Sequence, residues 1–242
     1  MPVQRQFQEN HILALLPGAT YADWAPHFEI INLPLGKVLY EPGAILGHVY
    51  FPTTAIISWI YVLSNGASTE VVMTGREGLV GMYQLMGGGK SHNRAMVQTA
   101  GQAVRLPLSV ALSSFTQNQQ VQRLFLLYTQ AMITQMAQIG VCHRHHTLDQ
   151  QLCRMLLLTL DRMDGNTIAM THELMSELLG VRREGVTLAA KRLMKNGVIH
   201  YSRGHITVLD RAELENRVCE CYGVIQQEYE RLLQHPAKLQ QC

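Results

Sequence analysis

The side chains of this chain best placed to do chemistry gather in one short segment. Between Val181 and His205, six basic residues (Arg182, Arg183, Lys191, Arg192, Lys195 and Arg203) stand against one acid, Glu184. The net charge of the whole chain is only +2, and residues 1–140 carry seven Lys/Arg against six Asp/Glu. Any electrostatic function must therefore be local. A basic cluster on one small element is the footprint of a phosphate-backbone contact, with a solvated helix face as the plain alternative.

Cysteine and histidine are the other reactive types. The five cysteines, Cys142, Cys153, Cys219, Cys221 and Cys242, form no CxxC pair and are odd in number, a usage that fits a reducing compartment. Cys142, His145 and His146 fall at i, i+3, i+4 on a possible helix and could hold zinc or haem. A histidine-rich hinge that caps helix ends is the preferred reading. Cys219 and Cys221 are two apart on a predicted helix, so they should point to different sides and not chelate. A hydrolase built on Cys142 would lack a nucleophile elbow, an oxyanion loop and a third orienting group. No metal ligand is assigned, the cofactor is unknown, and an enzyme is not expected.

The elements that must position the basic cluster are legible around it. Thr171 suits an N-cap, Leu174, Leu178 and Leu179 give an apolar face, and Gly180 suits a left-handed helix stop. A second helix follows. Val186, Ala190 and Leu193 share one face, while Arg183, Thr187 and Lys191 share another, with Glu184 and Leu188 alongside. Asn196-Gly197 ends it. "VIHYSRGHITVLD" then reads as a two-stranded hairpin tipped by Arg203-Gly204. Helix, glycine turn, helix and wing would place the second helix in a major groove, with Lys195 and Arg203 reaching phosphates.

Upstream the texture differs. Residues 10–28 suggest two short helices broken at Pro17-Gly18. From about Phe28 to Leu108, short β-rich runs ("VLY", "HVYFP", "AIISWIYVL", "STEVVMT", "AMVQTA", "AVRLPL") alternate with turn signals, the pattern of an antiparallel sandwich or barrel. From about Val110 the pattern is helical. Between Thr116 and Cys142 the only charge is Arg123. One apolar stripe runs Val121, Phe125, Tyr128, Met132, Met136, Ile139; a narrower one runs Leu124, Leu127, Ala131, Thr134. A helix apolar on two faces must bury both, and a second copy of the same helix is the simplest partner. Gly140 is a candidate hinge, and residues 212–234 are expected to form one last helix. Thr129, Gln130, Thr134, Gln135 and Gln138 argue against a membrane span in Leu124–Val141, and "HILALLPGA" is too short for a signal peptide. These features point to a soluble, cytoplasmic protein.

Together these residues resemble the Crp/Fnr family of bacterial transcription regulators, over nearly the whole chain. "PLGKVLYEPGA", "VYFP", "NGASTEVVMTGREGLVG" and "VQTAGQAVRLP" are similar to its cyclic-nucleotide-binding β-roll. The uncharged helix resembles its dimerisation helix. "MTHELMSELLGVRREGVTLAAKRLMKNGVI" resembles its winged helix-turn-helix. The resemblance implies an α+β chain with an antiparallel β-roll (jelly roll) over 1–115, a dimerisation helix and hinge over 116–146, and a winged helix-turn-helix over 147–242. It implies a homodimer on a two-fold symmetric double-stranded operator, with RNA polymerase as a further partner and no membrane. The second reading is a signalling module, responsive to a cyclic nucleotide, haem or metal, whose main role is sensing.

Matched residue by residue, the family's base-contacting Arg and Glu fall on Arg183 and Glu184. Arg182 stands where a capping Ser is usual, and Leu188 where a second base-contacting Arg is common. The implied DNA-binding set is Arg182, Arg183, Glu184, Thr187, Leu188, Lys191 and Arg203, with Leu188 or Thr187 able to meet a thymine methyl. In the nucleotide cassette, Gly78-Leu79 stands for a Gly-Glu pair and Arg94-Ala95 for an Arg-Ser pair. Of the polar side chains only Arg94 survives, so cyclic AMP is not the expected effector. The family's N-terminal cysteine cluster for iron and sulfur is excluded, because residues 1–141 contain no cysteine.

Overall fold

A computed structural model describes residues 7–234; Cys242 lies outside them. Two short helices, α1 (His11–Ala14) and α2 (Gly18–Trp24), precede the sheets, with Pro17 immediately before α2. Seven strands follow: β1 (Glu29–Leu33), β2 (Val38–Tyr40), β3 (His48–Pro52), β4 (Ile56–Val62), β5 (Ser68–Thr74), β6 (Arg94–Thr99) and β7 (Gly101–Pro107). They form two antiparallel sheets, ordered β1-β7-β3 and β2-β6-β4-β5. Val49, Phe51, Ile57, Trp59, Val97, Val104 and Leu106 fill the space between with essentially no exposure. The expected strands are present. Strand β1 ("EIINL") and the short helix α3 (Met82–Met86) are additions to the expected elements.

Helix α4 (Leu108–Gln117) leads into α5 (Gln119–His145), whose 27 residues span about 40 Å. Asn118 caps α5 by accepting from the Gln120 and Val121 amides. The stripe Val121, Phe125, Tyr128, Met132, Ile139 is buried, with Met136 half-buried in the same row, as its spacing requires. The second face differs from expectation. Leu124 and Ala131 are also buried within the chain, and the uncovered line is Leu126 (50% exposed), Ile133 (57%), Ala137 and Val141. The α5 helix runs through Gly140 without a break, so the chain turns at His146 instead.

The C-terminal part consists of α6 (Leu148–Leu160), β8 (Thr167–Ala169), α7 (His172–Leu179), α8 (Arg183–Lys195), β9 (Ile199–Ser202), β10 (His205–Val208), α9 (Arg211–Arg217) and α10 (Glu220–Tyr229), closed by a π turn over Glu230–Gln234. Thr147 and Gln150 form a capping box on α6. The wing has three strands, not two: β8 pairs with β10, giving the order β8-β10-β9. The last helix is two helices, broken at Val218-Cys219. No helix among the described residues is long and apolar enough to cross a membrane.

The two halves are joined by buried polar bonds. Glu77 accepts from the Gly75 amide and from Arg162 Nε at 2.8 Å, with side-chain exposures of only 12% and 6%. Arg162 also donates to the Leu158 carbonyl, and its guanidinium lies 5.7 Å from the centre of the Tyr229 ring. At the other end of β5, Ser68 and Thr69 donate to the Glu177 and Leu178 carbonyls of α7.

Candidate nucleic-acid interface

The interface is built from α7, α8 and the wing. Thr171 accepts from the Leu174 amide at 3.1 Å and so starts α7. Gly180 ends it at φ 66, a left-handed conformation that glycine enters without a Cβ penalty. Arg182 occupies the N-cap of α8 and makes no capping side-chain bond, as its departure from Ser implies. Val186, Ala189, Ala190 and Leu193 are buried and seat the helix. Arg182, Arg183, Glu184, Leu188, Lys191 and Lys195 are exposed on the other side, Leu188 at 56%. The apolar stripe forces this orientation: once four positions at helical spacing enter the core, the charged ones face solvent.

The electrostatics of that face are only lightly committed. Arg183 lies 3.6 Å from Glu173 on α7, and both side chains are mostly exposed. Such a pair holds the guanidinium weakly and can be exchanged for a better acceptor. Its partner is across the turn, not the neighbouring Glu184. Lys191, Lys195 and Glu184 make no ion pair among the described residues. Arg192 differs: it is paired with Asp149 on α6, so it ties α8 to the domain. Of the basic residues on α8 it is the least available to a phosphate.

Thr187 is more constrained than its position suggests. Its hydroxyl donates to the Arg183 carbonyl and sits 3.0 Å from His172 Nδ1. The His172 ring stacks on Tyr201 of β9, with centroids 4.2 Å apart. The imidazole thus joins α7, α8 and the wing. Burial, then Arg183 and Lys191, push its pKa down and favour the neutral ring. His172 was missed in the sequence because its role depends on a strand twenty-nine residues away; an aromatic in β9 was the only hint.

Arg203 is at the wing tip with φ 51, the only described non-glycine residue with a positive φ. With Gly204 (φ 78) it closes the two-residue loop between Ser202 and His205. Hairpin loops of this length want glycine, Asn or Asp at such positions. A long cation kept there projects away from the fold.

The residues matched to an effector cassette have a different environment. Gly78 leaves room for Tyr128 of α5: a Cβ on it would stand 2.4 Å from that ring. The Tyr128 hydroxyl donates to the Leu79 carbonyl at 3.0 Å, and the Leu79 side chain is fully buried. Ala95 is fully buried too. Arg94 donates to Glu41 at 2.9 Å, and its Nη1 lies 4.0 Å from Glu177 of α7. Gly78 and Leu79 thus pack against α5, Ala95 belongs to the core, and Arg94 bridges toward α7.

Comparison with known proteins agrees with this architecture. Residues 150–217 match the family model described as "Crp-like helix-turn-helix domain". No curated protein matches the chain in sequence. Among solved structures, FixK2 from Bradyrhizobium japonicum is similar at 17% identity, covering 79% of this chain and 98% of its own, with a TM-score of 0.66. TTHA1359, a CRP/FNR family transcriptional regulator from Thermus thermophilus, is similar at 18% identity over 78% and 97%, with a TM-score of 0.60. The c-di-GMP responsive regulator CLP from Xanthomonas campestris is similar at 14% identity over 79% and 99%, with a TM-score of 0.61. This chain accordingly carries a Crp-like helix-turn-helix domain on the fold of the Crp/Fnr transcriptional regulators.

Proposed function

We propose that the protein is a sequence-specific DNA-binding transcription regulator that acts as a homodimer, and not an enzyme. The observation that carries this is α8 itself: four residues seat it, and the opposite face offers Arg183, Glu184, Leu188 and Lys191 to solvent. Arg183 donates to a guanine edge and Glu184 accepts from a cytosine amine. Arg182, Lys191, Lys195 and Arg203 contact phosphates, which orient the helix without reading sequence. The exposed line Leu126, Ile133, Ala137, Val141 supports α5 pairing with its copy, since a row of uncharged apolar residues in water is otherwise unfavourable. Two copies then present two α8 helices to the two half-sites of a symmetric operator.

Selection of bound sequences from random DNA, combined with sedimentation of the free protein, tests the proposal. The expected result is a dimer that enriches inverted repeats, with affinity falling steeply in salt. A monomer without sequence preference would sink it.

A further inference from the structure

Four donor groups outside the exposed face of α8 converge at the foot of α5. Cys142 is on the last turn of α5, and His146 is the residue that follows the helix. Cys219 is the N-cap of α10 and Cys221 is its second residue. The sequence expectation that Cys219 and Cys221 point apart fails here. It treats both as helical, whereas Cys219 stands in the break between α9 and α10 with an extended backbone. The sulfurs of Cys142 and Cys219 are 3.5 Å apart, as are Cys221 Sγ and His146 Nδ1. All four donor atoms lie within 4.8 Å of one another.

We propose that Cys142, His146, Cys219 and Cys221 bind one zinc ion in a closed, structural Cys3His site. Four donors at zinc's usual bond lengths define a tetrahedron with edges of about 3.5–3.8 Å. Two of the contacts already have that length, and the longest needs to close by roughly 1 Å. An iron–sulfur cluster would spread its cysteines further, because its own sulfides lie between them. A Cys142–Cys219 disulfide would use two donors and leave Cys221 and His146 without a reason to face them. Three soft sulfurs with one imidazole complete a set of four protein donors, which selects zinc in its structural role.

The surroundings have the form of a metal site. His146 turns Nδ1 to the sulfurs and Nε2 to Glu220, 3.4 Å away, the carboxylate–histidine relay that orients metal-bound imidazoles. Gln151 donates to the backbone carbonyls of both Cys142 and His146, which fixes two of the ligand-bearing positions. Three thiolates around a divalent ion leave a net negative charge. Buried Arg154, whose Nε has no partner among the described residues, acts electrostatically on Cys142 and Cys221 and opposes that charge. The N-terminus of α10 adds a positive pole beside Cys219 and Cys221. The three cysteines also form a small buried cluster separate from the main core, so apolar packing alone does not account for them. Bound zinc would pin the end of α5 to the C-terminal helix, at the point where the chain turns into the DNA-binding half.

The test uses the full chain, purified without chelators. Elemental analysis should find about one zinc per chain. Cobalt exchanged into the stripped protein should show tetrahedral d–d bands and thiolate-to-cobalt charge transfer. Cys221→Ser should lose zinc to a chelator at least tenfold faster, while Cys153→Ser, a buried cysteine outside the set, keeps it. Should Cys221→Ser fail to fold, the cobalt spectrum of the wild-type chain decides alone. Folded protein without zinc, cobalt bound without sulfur, an iron chromophore, or a Cys142–Cys219 disulfide as the purified state would each overturn the proposal.

Discussion

Leu79 and Leu188 make the same kind of substitution with opposite outcomes. Each is a leucine where the resemblance leads one to expect a polar, ligand-contacting side chain. Leu188 remains 56% exposed on the seated helix, beside Glu184 and Lys191. Leu79 is fully buried, its carbonyl held by Tyr128 of α5. The first change leaves an apolar side chain on an exposed face that otherwise carries charge. The second side chain is part of the core, and Arg94 of the same matched set is paired with Glu41. Similar motif departures therefore have different structural results: on α8 an exposed leucine on a basic face, and in the β-roll a leucine that belongs to the core.

Restoring the expected residue at each position separates the two cases most sharply. Leu79→Glu should cost roughly 3–5 kcal/mol, because it places an unpaired carboxylate in the core. Chemical unfolding measures this, and a neutral effect, or new affinity for a cyclic nucleotide, would break the comparison. A second inward-facing carboxylate in the β-roll gives a pH signature. Burial pushes Glu70 of β5 up to about 7, and its Oε2 has no hydrogen-bond partner among the described residues. Its folded-state pKa lies above the unfolded value, so the folded chain holds the extra proton and stability falls as pH rises from about 4.5 to 7. Against Glu70→Gln, the wild type should lose roughly 2–4 kcal/mol across that window in urea titrations. Parallel curves would remove the buried-acid assignment.

The reader's effects are smaller and confined to DNA. Arg183→Ala should weaken operator binding by about 1–3 kcal/mol and relax one base position. Leu188→Arg should leave stability within about 0.5 kcal/mol and shift the selected half-site toward guanine by about 1–3 kcal/mol. Anisotropy titrations against operators differing at single positions check both; unchanged selectivity in either would count against the assigned face. The smallest expected effect is Arg203→Gly. Relief of the positive φ should raise stability by roughly 1 kcal/mol, while the salt slope of DNA binding falls by about 1. A wing tip that does not touch phosphate would show the first change without the second.

What could be read without coordinates follows from how local each signal is. The strands announced themselves through β-branched runs between turns, and α8 through a 4-and-3 spacing that fixes its own buried face. Its exposed residues were correct because they are the complement of that face. The free side of α5 was assigned to Leu124 and Ala131, yet Leu126 and Ile133 hold it. Periodicity shows that a helix has two apolar faces but not which one the rest of the chain covers. β8 is three residues long and is defined by pairing with β10, which no local pattern shows. The Cys142 constellation was hidden for the same reason. It joins groups 75 and 77 positions apart, and it exists only because α9 and α10 are separate helices.

Gly180 carries a consequence for anyone who selects mutants of this protein. It ends α7 in a left-handed turn, and a Cβ placed on it would come within 3.2 Å of the Ser68 carbonyl on β5. A change there disturbs the angle between α7 and α8 and also wedges the reader away from the β-roll. Alleles at this codon should be pleiotropic, and revertants that keep the new residue should map to the Ser68–Thr69 end of β5 rather than to the operator.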